Sequence, residues 1–310
     1  MAESKSLRVA YGEALVAAGK TNDKIVVLDA DLSNATMTGI FRKEFPDRFF
    51  NFGIAEANMV CAATGFAHSG LIPFVSTFAL FGAGRAYEQI RNSVAYVNAN
   101  VKFGLTHSGL SVGEDGGSHQ SIEDIALMRV LPNMTIFVPC DPFEMEKAVM
   151  AAIAIDGPVF LRVARPVGDY FTKADDPFVP GKANIMKDGK DVAIFSMGLM
   201  IPEALKAAQA LEEEGISAAV VNFHTVKPFD AECAVRMAAQ CGAVVTAEEH
   251  SVIGGLGAAT AEALMGKVNA KFDMVGIQDK FGKSGAPGLL FEEYGLTAKN
   301  IADKCRAMVK

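Results

Sequence analysis

The sequence has no tryptophan, few cysteines and no long apolar run. Its 310 residues include five Cys, and none of them form a CxxC pair. Scattered thiols of this kind indicate reduced cysteines rather than a disulfide framework or a zinc cluster. No apolar stretch reaches the ~18 residues of a membrane-spanning helix, and the first residues resemble neither a secretory signal nor a transit peptide. We therefore expect a cytoplasmic protein without membrane association.

Positive charge is in the minority. The chain has 29 Lys and Arg against 36 Asp and Glu, which gives a formal net charge of −7. Proteins that bind nucleic acid by neutralising phosphates need a basic surface, so we expect no nucleic-acid partner. Half of the residues are apolar and 21% are charged, a balance that is typical of a packed globular protein.

The sequence does contain a regular alternation of helix and strand signals. Helical spacing of apolar residues covers residues 7–18, 54–69, 84–93 and 142–154. Short apolar strands are predicted between them, at residues 24–28, 73–75, 101–105, 134–138 and 159–163. Continuous apolar strands that alternate with helices indicate a parallel sheet covered on both faces.

The pattern breaks at residues 166–190, which are rich in Pro, Gly, Asp and Lys and predict a linker with one edge strand. A second series of strands and helices follows between residues 192 and 276. A chain of this length is expected to form two domains. We therefore predict an α/β fold of two doubly wound, mainly parallel-sheet domains, at residues 1–180 and 188–310.

Glu56 is an isolated carboxylate in a stretch of apolar and small residues. It follows Phe49, Phe50 and Phe52 and precedes the run Ala-Asn-Met-Val-Cys-Ala-Ala. A carboxyl in dry surroundings has a raised pKa, which suits it to proton transfer. The alternative is a glutamate in the first turn of a helix that complements the helix dipole. Position alone favours this second, structural interpretation.

Two aromatic residues and a glycine-rich loop form a second group of candidates. Phe78 and Phe81 share one face if their stretch is helical and could hold a planar ring between them, although such pairs usually pack in the core. The glycine-rich loop, residues 106–120, reads Thr-His-Ser-Gly-Leu-Ser-Val-Gly-Glu-Asp-Gly-Gly-Ser-His-Gln and follows a predicted strand. Such loops bind ligands in α/β proteins. A metal site would need closer ligand spacing, and a plain polar loop is an equal alternative.

These motifs, in this order, resemble the pyrimidine-binding half of transketolases, enzymes that use thiamine diphosphate. The resemblance rests on Gly-Ile-Ala-Glu-Ala-Asn-Met at 53–59, Ser-Thr-Phe-Ala-Leu-Phe at 76–81 and the glycine-rich loop. Residues 248–257 and 279–285 resemble the C-terminal domain of the same enzymes. The Gly-Asp-Gly motif and later Asn that hold the diphosphate and its metal in that family are absent from the 310 residues. The chain thus resembles half of an active site.

The resemblance implies a cofactor role for four residues. Glu56 matches the family's catalytic glutamate, which lies beside a ring nitrogen of the aminopyrimidine. Phe78 and Phe81 match the aromatic residues that flank this ring, and Asp31 matches an aspartate on the cofactor side. Gly84 stands where the family has a third aromatic residue, a tyrosine, so the resemblance implies an altered pocket.

The resemblance also implies a set of sugar-binding residues. His107, a further catalytic candidate, matches a histidine that contacts oxygens of the donor sugar, and Asp115 matches an aspartate that contacts an acceptor hydroxyl. Phosphate recognition needs cations and hydroxyls that converge on one point, and the fork of donors on Arg suits it. The positions that match the family's phosphate contacts are His119, Arg8, Ser33 and Arg165.

The function implied is that of the C-terminal subunit of a split transketolase, which transfers a two-carbon ketol unit from a ketose phosphate to an aldose phosphate. The implied partner is an N-terminal subunit with the Gly-Asp-Gly and Asn motif, in an α2β2 assembly. That subunit would hold the Mg²⁺ or Ca²⁺ ion and the diphosphate, so we assign no metal ligand to this chain.

Three alternatives stay open. Deoxyxylulose phosphate synthase tends to carry Asp-Arg-Ala-Gly where this chain has Thr-His-Ser-Gly at 106–109. The β subunits of 2-oxo acid dehydrogenases generally lack the Gly-Glu-Asp-Gly-x-x-His-Gln run at 113–120. A non-catalytic regulatory subunit is the third. The Gly-Gly-Leu-Gly run at 254–257 has the wrong spacing for a dinucleotide site, so we assign the second domain no catalytic residue and expect dimer contact and structural support from it.

Overall fold

Helices and strands alternate through the first half of the chain in the computed structural model, which describes residues 4–309. The strands are β1 (Lys5–Ser6), β2 (Ile25–Asp29), β3 (Phe49–Asn51), β4 (Ile72–Phe78), β5 (Lys102–Thr106), β6 (Thr135–Phe137), β7 (Val159–Val163) and β8 (Val167–Gly168). The α-helices are α1 (Leu7–Thr21), α2 (Ser33–Thr36), α3 (Gly39–Glu44), α4 (Glu56–His68), α5 (Tyr87–Gln89), α6 (Asp124–Arg129) and α7 (Pro142–Ala154). Two π-helical turns, Leu80–Arg85 and Ile90–Ala95, flank α5, and 3₁₀ turns lie at Pro46–Arg48 and Leu110–Asp115.

The second half repeats this alternation. Its strands are β9 (Asn184–Lys187), β10 (Val192–Ser196), β11 (Ala218–Asn222), β12 (Thr225–Lys227), β13 (Ala243–Ser251) and β14 (Lys271–Ile277). Its helices are α8 (Ile201–Glu213), α9 (Ala231–Cys241), α10 (Leu256–Leu264), α11 (Pro287–Glu293) and α12 (Ala298–Val309), with a 3₁₀ turn at Gly198–Met200. The expected helix at 84–93 is shortened to α5, with π-helical turns on either side.

The first sheet has the strand order β12-β6-β7-β5-β4-β2-β3. All its pairs are parallel except β12 with β6. Strands β2, β4, β5 and β7 are buried throughout, which is the reason for their continuous apolar sequences. Because β12 comes from the second half of the chain, that half covers the β6 edge of the first sheet. The sequence analysis did not predict this strand.

The second sheet has the strand order β14-β13-β10-β11-β9 and is parallel except for β9, which runs antiparallel to β11. Strand β9 is the edge strand that was expected in the linker. Strand β8, also in the linker, pairs antiparallel with β1. The α/β prediction of two mainly parallel sheets is therefore confirmed.

Apolar residues from both halves share one buried cluster. Ile136 and Val138 near β6 belong to the same cluster as Phe195 of β10 and Phe223 after β11. A second cluster packs α1 and α7 on the opposite face of the first sheet. Among residues 4–309, no helix is both long and apolar enough to cross a membrane.

Candidate active site

The candidate residues gather at one edge of the first sheet. Thr106, the last residue of β5, is in register with Phe78 of β4 on one side and Val163 of β7 on the other. The residues that follow these parallel strands therefore leave the sheet side by side, at the carboxyl edge where α/β proteins bind ligands. Three candidate stretches begin there: the π-helical turn after β4, the glycine-rich loop after β5, and Arg165 after β7.

Glu56 is the first residue of α4 and only 2% exposed. Gly53, at φ +66°, makes the left-handed turn that brings the chain from β3 into this helix. Nη1 of Arg85 donates to both carboxylate oxygens at 3.0 Å. Glu56 thus combines the two features that the sequence suggested as alternatives, a dry environment and a place in the first turn of a helix.

Arg85 is a site residue that the sequence analysis missed. Its guanidinium contacts Glu56 and also lies over the ring of Phe81, 4.7 Å from the ring centroid. The side chain of Arg85 is 53% exposed, so the pair is open to solvent on one side. A buried carboxylate that stays ionised is usually paired with a cation, so burial of Glu56 indicates that it has a partner. The sequence could not identify it, because the partner lies 29 positions away on a separate turn.

Four rings form a cluster beside this ion pair. Phe78 and Phe81 are stacked, with centroids 5.7 Å apart and planes at 20°. His107 stacks on Phe78 at 3.9 Å, and His119 meets the Phe81 ring edge-on at 5.3 Å. Phe78 ends β4 while Phe81 lies in the π-helical turn, so the two residues share no helix face. Their contact comes from the abrupt change from strand to helix.

His107 is held in an unusual backbone conformation directly after β5. Its φ is +57°, in the left-handed region that few non-glycine residues adopt. The ring is buried and its Nδ1 lies 2.8 Å from Oγ1 of Thr106. Burial, with added repulsion from Arg8, Arg165 and His119, lowers the pKa of His107 to about 3. The imidazole is therefore neutral near pH 7, so one ring nitrogen donates and the other accepts.

Arg8 and Arg165 place two positive charges next to His107. Nε of Arg8 donates to the Arg165 carbonyl at 3.2 Å, and its Nη1 donates to the Ala35 carbonyl at 2.8 Å. Burial, and then repulsion by Arg165, lowers the pKa of Arg8. Two adjoining cations in a half-buried place favour an anion. Ser33 begins α2, the turn that includes Ala35, so this candidate lies in the element that Arg8 contacts.

Two candidates lie outside the ring cluster. Asp31 is exposed, with φ +65°, and exchanges hydrogen bonds with Asn51, whose Nδ2 donates to Oδ1 of Asp31 at 2.9 Å. Asp115 is exposed at the end of the 3₁₀ turn within the glycine-rich loop. The structure therefore brings Glu56, Phe78, Phe81, His107, His119, Arg8 and Arg165 together, and leaves Asp31 and Asp115 exposed outside this cluster.

The arrangement fits an aminopyrimidine. Phe78 and Phe81 stack on each other with centroids 5.7 Å apart, so the expected ring does not fit between them, and a planar heterocycle can pack only on the outside of the pair. The Glu56 carboxylate accepts hydrogen bonds from one nitrogen of Arg85, so its two oxygens keep lone pairs that can accept from a further donor. Residues 4–309 contain no group of three or more His, Cys, Asp or Glu placed to hold a metal ion.

Two domain families match most of the chain. The family described as "Transketolase, pyrimidine binding domain" matches residues 3–168, and "Transketolase, C-terminal domain" matches residues 181–301. A Methanocaldococcus jannaschii protein named as a transketolase C-terminal section is 45% identical over 309 residues, covering 99% of this chain and 97% of the relative. The 6-deoxy-6-sulfo-D-fructose transketolase subunit SqwH of a Clostridium species is 42% identical, with 96% and 93% covered.

A solved structure and a longer relative are also transketolases by name. The structure named "Split gene transketolase, inactive beta4 tetramer" is 49% identical and superposes with a TM-score of 0.91, covering 99% of this chain and 98% of that one. Human transketolase is 37% identical over 306 residues, but these make up only 49% of its length. The transketolase family implies thiamine diphosphate with a divalent metal as the cofactor. With both domain families matched in order and relatives of its own length, this chain belongs to the transketolase family.

Proposed function

We propose that the chain is the C-terminal subunit of a split transketolase and transfers a two-carbon ketol unit from a ketose phosphate to an aldose phosphate. Two relatives whose names describe a C-terminal section or a split-gene enzyme are covered over 97% and 98% of their length, which supports this division of the enzyme. The partner would be an N-terminal subunit that supplies the diphosphate and metal site, with two copies of each subunit.

The observation that carries the proposal is the position of Glu56. The buried Glu56 carboxylate at a helix start is linked through Arg85 to a stacked aromatic pair, and His107, which stacks on this pair, is close enough to two arginines to be affected by their charge. This arrangement offers a proton-exchanging group, a surface for a flat ring and an anion site.

Each part has its own task. Thiamine diphosphate, when bound, supplies the carbon nucleophile that carries the ketol unit. Glu56 would exchange a proton with the ring nitrogen of the aminopyrimidine, and Phe78 and Phe81 would exclude water and orient the ring. Neutral His107 would donate one hydrogen bond to a sugar oxygen.

Sugar binding would complete the site. His119 and the guanidinium groups of Arg8 and Arg165, with Ser33, would hold the terminal phosphate, because charge-assisted bonds from planar donors suit its oxygens. Asp115 and Asp31 would act from the rim, on an acceptor hydroxyl and on the cofactor side. The Mg²⁺ or Ca²⁺ ion would be held by the partner.

The test is ketol transfer from xylulose 5-phosphate to ribose 5-phosphate with thiamine diphosphate and Mg²⁺. We expect activity in the mixture of this chain with the N-terminal subunit and none with either chain alone. In the mixture, Glu56→Ala should lower kcat by roughly a hundredfold to ten-thousandfold, as expected for loss of a general acid–base, while size-exclusion chromatography still shows the complex. Near-normal turnover by Glu56→Ala would contradict the proposed role.

A sulfonated sugar is a second candidate substrate. The SqwH relative, 42% identical, is named for 6-deoxy-6-sulfo-D-fructose. A sulfonate presents three oxygens to the arginines, as a phosphate does, but carries one charge instead of nearly two. Measuring kcat/KM for 6-deoxy-6-sulfo-D-fructose and fructose 6-phosphate as donors in the same complex would distinguish the two anions. If neither transfers, the deoxyxylulose phosphate synthase and 2-oxo acid reactions are the next to assay.

A further inference from the structure

Residues of the second domain form hydrogen bonds with the glycine-rich loop, which contains His107 and His119. The amide nitrogen of Ser111 donates to Oε1 of Glu249, a residue of β13, at 2.6 Å. Glu249 is 2% exposed, and its Oε2 has no hydrogen-bond partner among residues 4–309. Burial raises the pKa of Glu249 to about 7. Burial of the Glu249 carboxyl costs desolvation free energy, and the hydrogen bond from the Ser111 amide offsets only part of that cost. The contact that this carboxyl does make is with the glycine-rich loop.

The loop backbone is shaped around this carboxyl. Gly109 has φ +78°, and a Cβ at this position would lie 2.3 Å from Oε1 of Glu249. Any side chain at this position would displace Glu249. The main chain of Glu249 is fixed in turn, because Nη2 of Arg162 donates to its carbonyl at 3.0 Å. Nε of Arg162 also donates to both carboxylate oxygens of Asp124, at 3.1 and 2.9 Å.

A second element of the same domain contacts the other side of the loop. Nε2 of Gln120 donates to the Lys283 carbonyl at 3.0 Å, and Oγ of Ser284 donates to the Glu114 carbonyl. A Cβ on Gly117 would lie 2.6 Å from the carbonyl oxygen of Gly282. A Cβ on Gly282 would lie 1.8 Å from Oε1 of Gln120. The two backbones therefore approach as closely as glycine permits.

We propose that Glu249 and residues 282–284, here named the C-terminal cradle, position the glycine-rich loop for sugar binding. Glu249 is then a positioning residue, and the second domain contributes to substrate affinity rather than to dimer contact and support alone. This inference rests on the proposed function, because it assigns a consequence to the loop that would bind the sugar.

The neighbouring glutamate, Glu248, shows that contact with the glycine-rich loop is specific to Glu249. Glu248 is equally buried, and burial raises its pKa to about 7 as well. Its carboxylate instead accepts the amides of Leu256 and Gly257 at 2.7 and 2.8 Å, at the start of α10 within the second domain. Two adjacent glutamates of the same burial thus serve different elements, which provides a matched control.

The first measurement is amide hydrogen exchange of the isolated chain. Glu249→Ala removes the acceptor of the Ser111 amide, so exchange in the peptide 108–120 should rise at least about tenfold. Glu249→Gln keeps a side-chain oxygen and should stay near the wild type. Glu248→Ala should raise exchange at 256–264 and not at 108–120. Unchanged exchange at 108–120 in Glu249→Ala would overturn the cradle.

The second measurement is steady-state kinetics of the complex with the N-terminal subunit. Glu249→Ala should raise KM for the acceptor sugar about tenfold, with kcat changed less than KM, and Glu249→Gln should restore it. Thiamine diphosphate affinity, measured by calorimetry, should not change. If Glu249→Ala does not fold, the exposed Ser284→Ala takes its place, with a smaller rise in both exchange and KM expected.

These outcomes separate the two proposals. A wild-type complex that transfers no ketol unit counts against the proposed function, whatever the exchange data show. If the wild-type complex is active while Glu249→Ala shows faster exchange at 108–120 and unchanged KM and kcat, this result counts against the positioning role of Glu249 and leaves the proposed function standing. If Ser284→Ala is the variant tested, unchanged hydrogen exchange at 108–120 and unchanged KM also count against the positioning proposal.

Discussion

At the scale of single residues, the site is organised by where its charges are paired. Glu56 has Arg85 as its cation, whereas Arg8 directs its hydrogen bonds to the carbonyls of Arg165 and Ala35. Arg165 donates to the Val112 carbonyl and lies 3.5 Å from the exposed Glu114 carboxylate. The positive charge near His107 is thus only partly compensated, which is what an anion site requires.

Replacing Arg165 tests this anion site. Arg165→Ala should raise KM for phosphorylated donors by roughly tenfold to a hundredfold, because a charge-assisted hydrogen bond is worth about 1.5–3 kcal/mol. KM for an unphosphorylated ketose donor, which carries no anionic group, should change little. The comparison is steady-state kinetics of the complex with both donors, with the exposed Arg236→Ala in α9 as the control. Equal effects on the two donors would rule out a phosphate contact.

At the scale of elements, the start of α7 links the halves of the chain. Asp141 caps α7 by accepting the Glu144 amide at 2.8 Å and also accepts two hydrogen bonds from Thr172 in the linker. Glu144, in the first turn, accepts the Cys140 amide at 2.7 Å and Nδ2 of Asn222, at the end of β11, at 2.8 Å. Glu144 is fully buried, and this burial raises its pKa to about 7 from its ordinary value of 4.5.

This raised pKa predicts a pH-dependent stability. Between pH 4.5 and 7 the folded state keeps a proton on Glu144 that the unfolded chain has lost, so the contribution of Glu144 to stability falls as the pH rises through this window. The loss is at most about 3 kcal/mol. Glu144→Gln cannot ionise, so its thermal midpoint relative to the wild type should rise from pH 5 to pH 8.

The check is differential scanning calorimetry of both proteins across this pH range. The other buried glutamates are present in both and cancel in the difference. Glu212→Gln, which replaces an exposed glutamate paired with Lys187, is the surface control. A Glu144→Gln difference that does not change between pH 5 and pH 8 would contradict the raised pKa of Glu144.

At the scale of the whole molecule, the candidate site lies open at one side. Ile54, two positions before Glu56, is 80% exposed, and Arg85 is half exposed. If the N-terminal subunit closes over Glu56, Ile54 passes from water into an apolar contact worth about 1.5–3 kcal/mol. The exposed face of the site is then the contact surface of the assembly.

Ile54→Lys should therefore weaken the complex by at least about tenfold without changing the thermal midpoint of the isolated chain. The dissociation constant is measured by sedimentation velocity or calorimetry with the N-terminal subunit. Met265→Lys in the other domain is the matched control, since Met265 is also 80% exposed. Equal affinity of wild type and Ile54→Lys would place the partner elsewhere.

Much of the fold follows from local sequence. The helix over Pro142–Ala154 and the strand Val159–Val163 agree with the predicted spans, because a capping Asp with Pro behind it and a continuous apolar run are local signals. Strand β12 was not predicted, because three residues become a strand only when the edge of β6 is beside them. Phe78 and Phe81 were correctly expected to be neighbours, but across the end of a strand rather than on a helix.

The sequence by itself determined the α/β class and the order of the elements, since these depend on periodicity and residue type. Glu56, His107, Arg8 and Arg165 became candidates because the stretches around them resemble the transketolase family. Tertiary structure alone decided that Arg85 pairs with Glu56 and that Glu249, 138 positions from Ser111, holds the glycine-rich loop. The physical reason is that burial and hydrogen bonding between distant segments depend on how the elements pack. No local pattern records which donor a buried carboxyl will find.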